Sequence, residues 1–91
     1  MSRGRPWQSD DDTGRIYKKY KAMIQNERER IGQRITDIRK EKGMTQVQLS
    51  ERCGLSQVHI SRIEAGKYDI RLDTLAAIAK ALGRRIALEE V

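Results

Sequence analysis

Apolar residues recur at helical spacing through most of the chain. Between Ile16 and Ile38 they lie three, four or seven positions apart, which is the pattern of a helix with one apolar face. Asn26 and the glutamate three positions later can form a capping pair, so the pattern predicts one helix over about 15–25 and a second over about 27–42. A single continuous helix is the alternative. Gly43 follows as a typical helix terminator.

Three shorter helical segments follow, each closed by a glycine. Thr45 and the glutamine three positions later form a capping box at the start of the first, which ends at Gly54. Ser56 can cap the second, which covers about 57–65. The third covers about 72–82 and carries its apolar residues on one face. The pattern therefore predicts a bundle of short helices.

These segments divide the chain into four parts. Residues 1–14 are polar and rich in glycine and aspartate, which predicts a flexible N-terminal arm. Residues 15–26 are an N-terminal helical extension, and residues 27–83 are the helical domain. Apolar and polar residues alternate in 84–91, which favours a short strand that could serve in dimerisation. The predicted fold class is all-α, with an extra N-terminal helix and a short C-terminal β-strand.

Composition excludes several classes of protein. A chain of 91 residues has room for one core, and one cysteine (Cys53) with one histidine (His59) cannot build a disulfide framework or a Cys/His zinc site. Without an apolar run long enough for a bilayer or a signal peptide, we expect a soluble, cytoplasmic protein with no membrane partner. We find no paired carboxylates, activated nucleophile or phosphate-binding glycine loop, so we expect no catalytic site, no cofactor and no metal.

The charge of the chain points to an anionic partner. The net charge is +6, and the pI is about 9.8. Residues 15–43 hold ten basic and four acidic side chains, so most of the positive charge lies in the N-terminal half. Such a basic segment favours contact with nucleic acid phosphates, although a solvated helix face is the alternative for any one of these side chains.

The two short helices predicted to begin at Thr45 and Ser56 have the arrangement of a DNA-binding helix-turn-helix. They are joined by a tight turn at Gly54, where the chain needs a positive φ, and the later helix starts two residues after that glycine. Apolar side chains at the junction would fix the angle between the helices and leave one face of the later helix free for a groove. The predicted buried positions are Leu49, Cys53, Leu55, Ile60 and Ile63.

The stretches IRKEKGMTQVQLSERCGLSQVHISRIEAGK and LDTLAAIAKALG resemble the lambda-repressor/Cro family, also called Xre-type regulators. The resemblance runs from Ile31 to Leu82, over half of the chain. It implies a lambda-repressor-like helix-turn-helix bundle of five helices or a close variant, with residues 27–83 as the DNA-binding domain. It also implies that the helix that starts at Ser56 lies in the major groove of double-stranded DNA.

The resemblance assigns roles to individual side chains. The positions that reach base edges are Gln57, Val58, Ser61 and Arg62. The positions that contact the sugar-phosphate backbone are Thr45, Gln46, Ser56, His59, Lys67 and Tyr68. Arg39 and Glu64 match a family ion pair that ties the first helix to the third. Two positions depart from the family: Ser50 replaces a usual alanine, and Arg71 stands where a small capping residue is common.

The C-terminal segment from Ala81 to Leu88 is similar to that of HigA-type and HipB-type antitoxins. In those relatives a strand pairs with its copy across a dimer axis, and an added N-terminal segment binds a toxin. We therefore interpret the chain as a sequence-specific DNA-binding transcriptional regulator, a repressor that binds an inverted-repeat operator as a homodimer. The alternative is an antitoxin that neutralises a toxin protein and autoregulates its operon.

Overall fold

A computed structural model describes residues 12–90. Within this range the chain forms four helices: α1 (Asp12–Glu41), α2 (Gln46–Cys53), α3 (Gln57–Glu64) and α4 (Leu72–Ala81). Most of the predicted arm, residues 1–11, lies outside the described residues. No strand occurs between residues 12 and 90, and residues 84–90 follow α4 without regular secondary structure, so the predicted strand is not confirmed. The described residues are all-helical.

Helix α1 continues through Asn26, as in the alternative of one continuous helix, but two helical stretches meet at a kink nearer its start. Its backbone leaves helical geometry at Tyr20 (φ −114°, ψ 24°), which marks a kink, and Asn26 lies inside the helix instead of capping a new one. The chain stays helical at Asn26 because its neighbours contact the loop after α3: Gln25 donates to the carbonyl oxygen of Gly66 at 3.0 Å, and Arg28 pairs with Asp69. The extra N-terminal helix is therefore not confirmed as a separate element.

The predicted caps of α2 and α3 are confirmed. The backbone N–H of Gln48 donates to Thr45 Oγ1 at 3.0 Å, and the Gln48 side chain accepts from the Thr45 N–H at 2.8 Å. Ser56 Oγ accepts from the backbone N–H of His59 at 3.1 Å. Gly54 takes the left-handed conformation, with φ 81°, between the two helices. These local bonds fix where the helix-turn-helix begins, turns and resumes.

The core lies where the four helices meet. At the junction of α2 and α3, Leu49, Ile60 and Ile63 are fully buried, while Cys53 and Leu55 are half-buried against them. The other buried apolar residues are Ile35, Ile38, Met44, Ile78 and Leu82. Because Ile60 and Ile63 point inward, the remaining face of α3 is available at the surface.

Helices α1 and α3 approach each other closely at Gly32, which the sequence analysis did not single out. A Cβ at this position would lie 2.5 Å from the carbonyl oxygen of Ile63 and 2.7 Å from that of Glu64, both of which are backbone atoms. No side chain fits there without a shift of one helix. Glycine at position 32 thus sets the distance between α1 and the C-terminal end of α3.

Candidate nucleic-acid interface

The outer face of α3 carries the four side chains assigned to base edges. Gln57, Val58 and Arg62 are exposed, and Ser61 is half-buried. Val58 has no place in the core and leaves 55% of its surface accessible. An eight-residue helix with an anchored inner face and polar or short apolar outer side chains has the size and chemistry that fit a major groove.

A chain of hydrogen bonds runs from the core to the first residue of α3. Arg39 and Glu64 form an ion pair, with Arg39 Nε 2.7 Å from Glu64 Oε2, and their side chains are only 10% and 6% exposed. Gln46 Nε2 donates to Glu64 Oε1 at 2.9 Å, and Gln46 Oε1 accepts from Gln57 Nε2 at 2.7 Å. Side chains from α1, α2 and α3 are thereby linked in one series.

The Glu64 carboxylate at the centre of this series is held in its charged form. Burial by itself raises the pKa of this carboxyl group, but the hydrogen bonds from Arg39 and Gln46 and the positive charge of Arg39 outweigh that effect. The pKa of Glu64 therefore lies below its ordinary value of 4.5. At neutral pH the group accepts hydrogen bonds and donates none.

The side chains assigned to the DNA backbone border the outer face of α3. Thr45 and Ser56 are exposed at the N-termini of α2 and α3, where their hydroxyl oxygens are engaged as caps. His59 packs edge to face on Tyr68, with ring centroids 4.8 Å apart. The guanidinium carbon of Arg62 lies 5.9 Å from the Tyr68 ring centroid, which is cation–π range. Lys67 is exposed beside them.

Residues 35–88 match the helix-turn-helix family model, which is more than half of the chain. The chain belongs to the Xre-type helix-turn-helix family of DNA-binding transcriptional regulators. The match contains α2, α3 and α4 and the last turns of α1. It leaves residues 12–34 of α1 outside the matched segment.

Three relatives show how far the similarity extends. The chain is 47% identical over 57 residues to the immunity repressor protein of Bacillus phage phi105, which covers 63% of this chain and 40% of the repressor. It is 40% identical over 62 residues to the control protein C.BamHI of Bacillus amyloliquefaciens, covering 67% of this chain and 76% of that protein.

The third relative is a solved structure, the clp gene regulator ClgR of Corynebacterium glutamicum. It superposes with a TM-score of 0.62 and 31% identity, over 64% of this chain and 62% of that one. The chain thus spans less than half of the phage repressor and under two thirds of the ClgR chain.

The two departures from the Xre-type pattern are accommodated locally. The buried Ser50 hydroxyl donates to the carbonyl oxygen of Val47 at 2.7 Å within α2, and the turn after it keeps its bond from Gly54 N–H to Ser50 O at 2.9 Å. Arg71 precedes α4 without a capping bond from its side chain and instead pairs with Asp73 at 3.0 Å. Helix α2 and the turn after it therefore keep regular geometry, and α4 begins at Leu72 without a side-chain cap.

The N-terminal half of α1 presents apolar side chains that the Xre-type core does not cover. Its N-terminal side chains from Arg15 to Met23 are exposed, and three lysines lie among them. The exposed apolar or aromatic residues are Ile16, Tyr17, Tyr20 and Met23. Within residues 12–90, no helix combines the length and apolar character needed to cross a membrane.

Proposed function

We propose that the chain is a sequence-specific repressor of transcription. It binds double-stranded DNA as a homodimer, with residues 27–83 as the DNA-binding domain and α3 in the major groove of each half of an inverted repeat. The observation that carries this proposal is the free outer face of α3, which holds Gln57 and Arg62 above a fully buried inner face. The similarity to a phage immunity repressor supports the direction of regulation.

The chemistry of the outer face of α3 supports direct reading of bases. The amide of Gln57 can bond an adenine bidentately, and the guanidinium of Arg62 can bond a guanine. Val58 offers apolar contact to a thymine methyl group, and the Ser61 hydroxyl can both donate and accept. A good bidentate pair discriminates by about 1–3 kcal/mol against a wrong base.

A second set of side chains sets the register of the protein on DNA. Contacts to phosphates fix position and orientation but carry no base information. The side chains in this set border the groove-facing side of α3 from the starts of α2 and α3 and from the loop after α3. They are Thr45, Gln46, Ser56, His59, Lys67 and Tyr68.

Selection of duplexes from a random pool tests the role of α3. The wild type should enrich an inverted repeat whose half-sites are centred about 34 Å apart or a multiple of that distance. Gln57→Ala should enrich the same repeat with one base position relaxed in each half. The matched control is Gln33→Ala, another exposed glutamine, which bonds Asp37 on α1 and should enrich the wild-type repeat. An unchanged preference in Gln57→Ala would contradict the assignment.

The C-terminal segment supplies the proposed dimer contact. Residues 84–90 border a groove of about 740 Å³ between α1 and α4, and Leu88, which lies at its edge, is 99% exposed. An extended segment satisfies its backbone amides by pairing, and two-fold pairing with its own copy would cover Ile86 and Leu88 at once. The strand predicted from the sequence would then form only in the dimer.

Deletion of residues 84–91 should weaken dimerisation while the monomer stays folded, because the buried core ends at Leu82. Sedimentation equilibrium at low micromolar concentration measures the change, and circular dichroism checks the helices. The truncated chain should also bind a single half-site as tightly as the full inverted repeat. A truncated chain that still sediments as a dimer would place the dimer contact elsewhere.

The exposed side chains on α1 favour a second candidate function, an antitoxin that neutralises a toxin protein and autoregulates its operon. Tyr17, Tyr20 and Met23 lie outside the Xre-type match and are about half exposed. Co-expression with the product of the adjacent gene tests it. Loss of the complex in Tyr17→Glu/Met23→Glu, with DNA affinity retained, would support this function, and a wild type that does not bind that product would contradict it.

A further inference from the structure

We infer that Glu64 sets the hydrogen-bonding polarity of Gln57 by acting through Gln46, and that it is therefore a positioning residue for base preference. The inference rests on the proposed function, in which Gln57 reads a base. It concerns which way the Gln57 amide faces when it does so. The ion pair between Arg39 and Glu64 ties α1 to α3 without any contribution from Gln46, so the bond from Gln46 to Glu64 calls for a different role.

The series begins with a carboxylate that can only accept. Glu64 takes hydrogen bonds from Arg39 Nε at 2.7 Å and Arg39 Nη2 at 3.0 Å, while Arg39 Nη1 donates to the carbonyl oxygen of Met44 at 2.8 Å. Three bonds therefore hold the guanidinium, and the guanidinium holds the carboxylate. Because both side chains are almost fully buried, the position of the Glu64 oxygens is fixed by the core.

An accept-only group decides the orientation of the next amide. Gln46 can approach the Glu64 carboxylate only with its NH₂ group, since its carbonyl oxygen would meet another acceptor. With Nε2 of Gln46 at 2.9 Å from Glu64, its Oε1 faces the start of α3. That oxygen accepts from Gln57 Nε2 at 2.7 Å, so Gln57 in turn must present its NH₂ group to Gln46.

The fixed amide of Gln57 offers its groups to a base in one order only. One N–H is engaged with Gln46, which leaves one N–H donor and the carbonyl oxygen for a base edge. Adenine presents N7 as acceptor and N6 as donor, and their order along the major groove reverses between an A·T and a T·A pair. A glutamine free to turn over could bond either pair, whereas one of fixed polarity prefers adenine on one strand.

The test compares affinities at the base pair whose identity no longer matters in Gln57→Ala. Duplexes that carry A·T or T·A there are titrated with the full-length wild type, Glu64→Gln and Gln46→Leu. For the wild type we expect a preference of about 5- to 150-fold between the two duplexes. Glu64→Gln gives Gln46 an amide neighbour that can both donate and accept, so the preference should fall at least about fivefold.

Gln46→Leu breaks the series of hydrogen bonds but leaves the Arg39–Glu64 ion pair in place. It therefore tests the inference even if Glu64→Gln does not fold. It removes a proposed phosphate contact and so lowers the affinity for both duplexes. The ratio of the two affinities should also fall. Ile78→Val, a mild change in the buried core, is the control for lost stability and should keep the wild-type ratio. All titrations are made where circular dichroism shows folded protein.

The outcomes separate the inference from the function on which it rests. A wild-type ratio in Gln46→Leu, or in folded Glu64→Gln, overturns the inference while the role of Gln57 stands. If Gln57→Ala relaxes no position at all, the base-reading role of Gln57 fails, and the inference fails with it. A reduced ratio in both variants with an unchanged ratio in Ile78→Val supports it.

Discussion

Replacing Glu64 with alanine should lower the free energy of unfolding by about 3–5 kcal/mol at pH 7, because it leaves the Arg39 guanidinium buried without a counter-charge. The Arg39 side chain is only 10% exposed, so water cannot replace the lost carboxylate at low cost. The Gln46 amide also loses its acceptor. Urea denaturation followed by circular dichroism at 222 nm (a helix signal) measures the loss, since each midpoint shift converts to a free energy.

Asp73→Ala is the matched control for this loss. It removes an acidic partner from the Arg71–Asp73 pair, whose side chains are 80% and 68% exposed, and exposed pairs contribute only about 0–1 kcal/mol. Each variant deletes one carboxylate from one ion pair. Asp73→Ala also removes the exposed bond from the backbone N–H of Thr74 at 2.7 Å, and we still expect a smaller loss than in Glu64→Ala because its pair is exposed to water. Equal losses in the two variants would mean that Arg39 and Glu64 do not form a buried pair in solution.

The loss in Glu64→Ala should also depend on pH in one direction. The folded state lowers the pKa of Glu64 below its ordinary value of 4.5, so the charged form is the one that folding favours. Its contribution is complete above the unfolded pKa and disappears as the pH falls through the lower folded pKa. The difference between wild type and variant should be constant from about pH 6 to 8 and shrink below about pH 4.5.

Replacing Gly32 with alanine should destabilise the protein by about 1–3 kcal/mol, as overpacking of a close contact does. The added Cβ would lie 2.5 Å from a backbone oxygen of α3, which cannot turn aside as a flexible side chain could. In an uncrowded helix interior the same substitution stabilises by about 0.5–1 kcal/mol, because glycine is the weaker helix former. The sign of the change in the free energy of unfolding therefore shows whether α1 and α3 are in close contact at Gly32. A single thermal or urea denaturation series measures it.

A gain in stability for Gly32→Ala would show that α1 and α3 are further apart in solution. A loss should be accompanied by weaker DNA binding, because a shift of α1 also displaces Arg39 and the hydrogen bonds that follow from it. Leu49→Ala is the reference variant for Gly32→Ala. It should lower the stability by leaving a cavity in the core and not by pushing α1 and α3 apart.

The short helices were predictable because their signals are local. The capping box at Thr45, the cap at Ser56 and the turn at Gly54 each involve residues within four positions of one another. The continuity of α1 at Asn26 was not predictable in the same way. A capping signal at Asn26 competes there with contacts from Gln25 and Arg28 to a loop about 40 residues later, and the tertiary contacts prevail.

In the candidate site, too, some features could be predicted from the sequence and others depend on tertiary contacts. The outer face of α3 follows from helical periodicity alone, and the pairing of Arg39 with Glu64 follows from the family resemblance. The bonds from Gln46 to Glu64 and to Gln57 join residues 18 and 11 positions apart, and no spacing rule predicts them before the helix angles are known. Gly32 gave a weak signal, as a glycine inside a helical pattern, but not the identity of the helix that crosses it.

Helix α1 is unbroken from residue 21 to Glu41, so the direction in which its N-terminal side chains point is fixed relative to the rest of the domain. This stretch is about 30 Å long, and each residue along it turns the direction of the side chain by about 100°. The number of residues between Met23 and the core therefore determines the angle between the face that carries Met23 and α3. An insertion or deletion of a single residue near Asn26 would swing that face a quarter-turn or more around the domain. Natural variation in length within this stretch should therefore come in steps of three, four or seven residues, which nearly restore the angle.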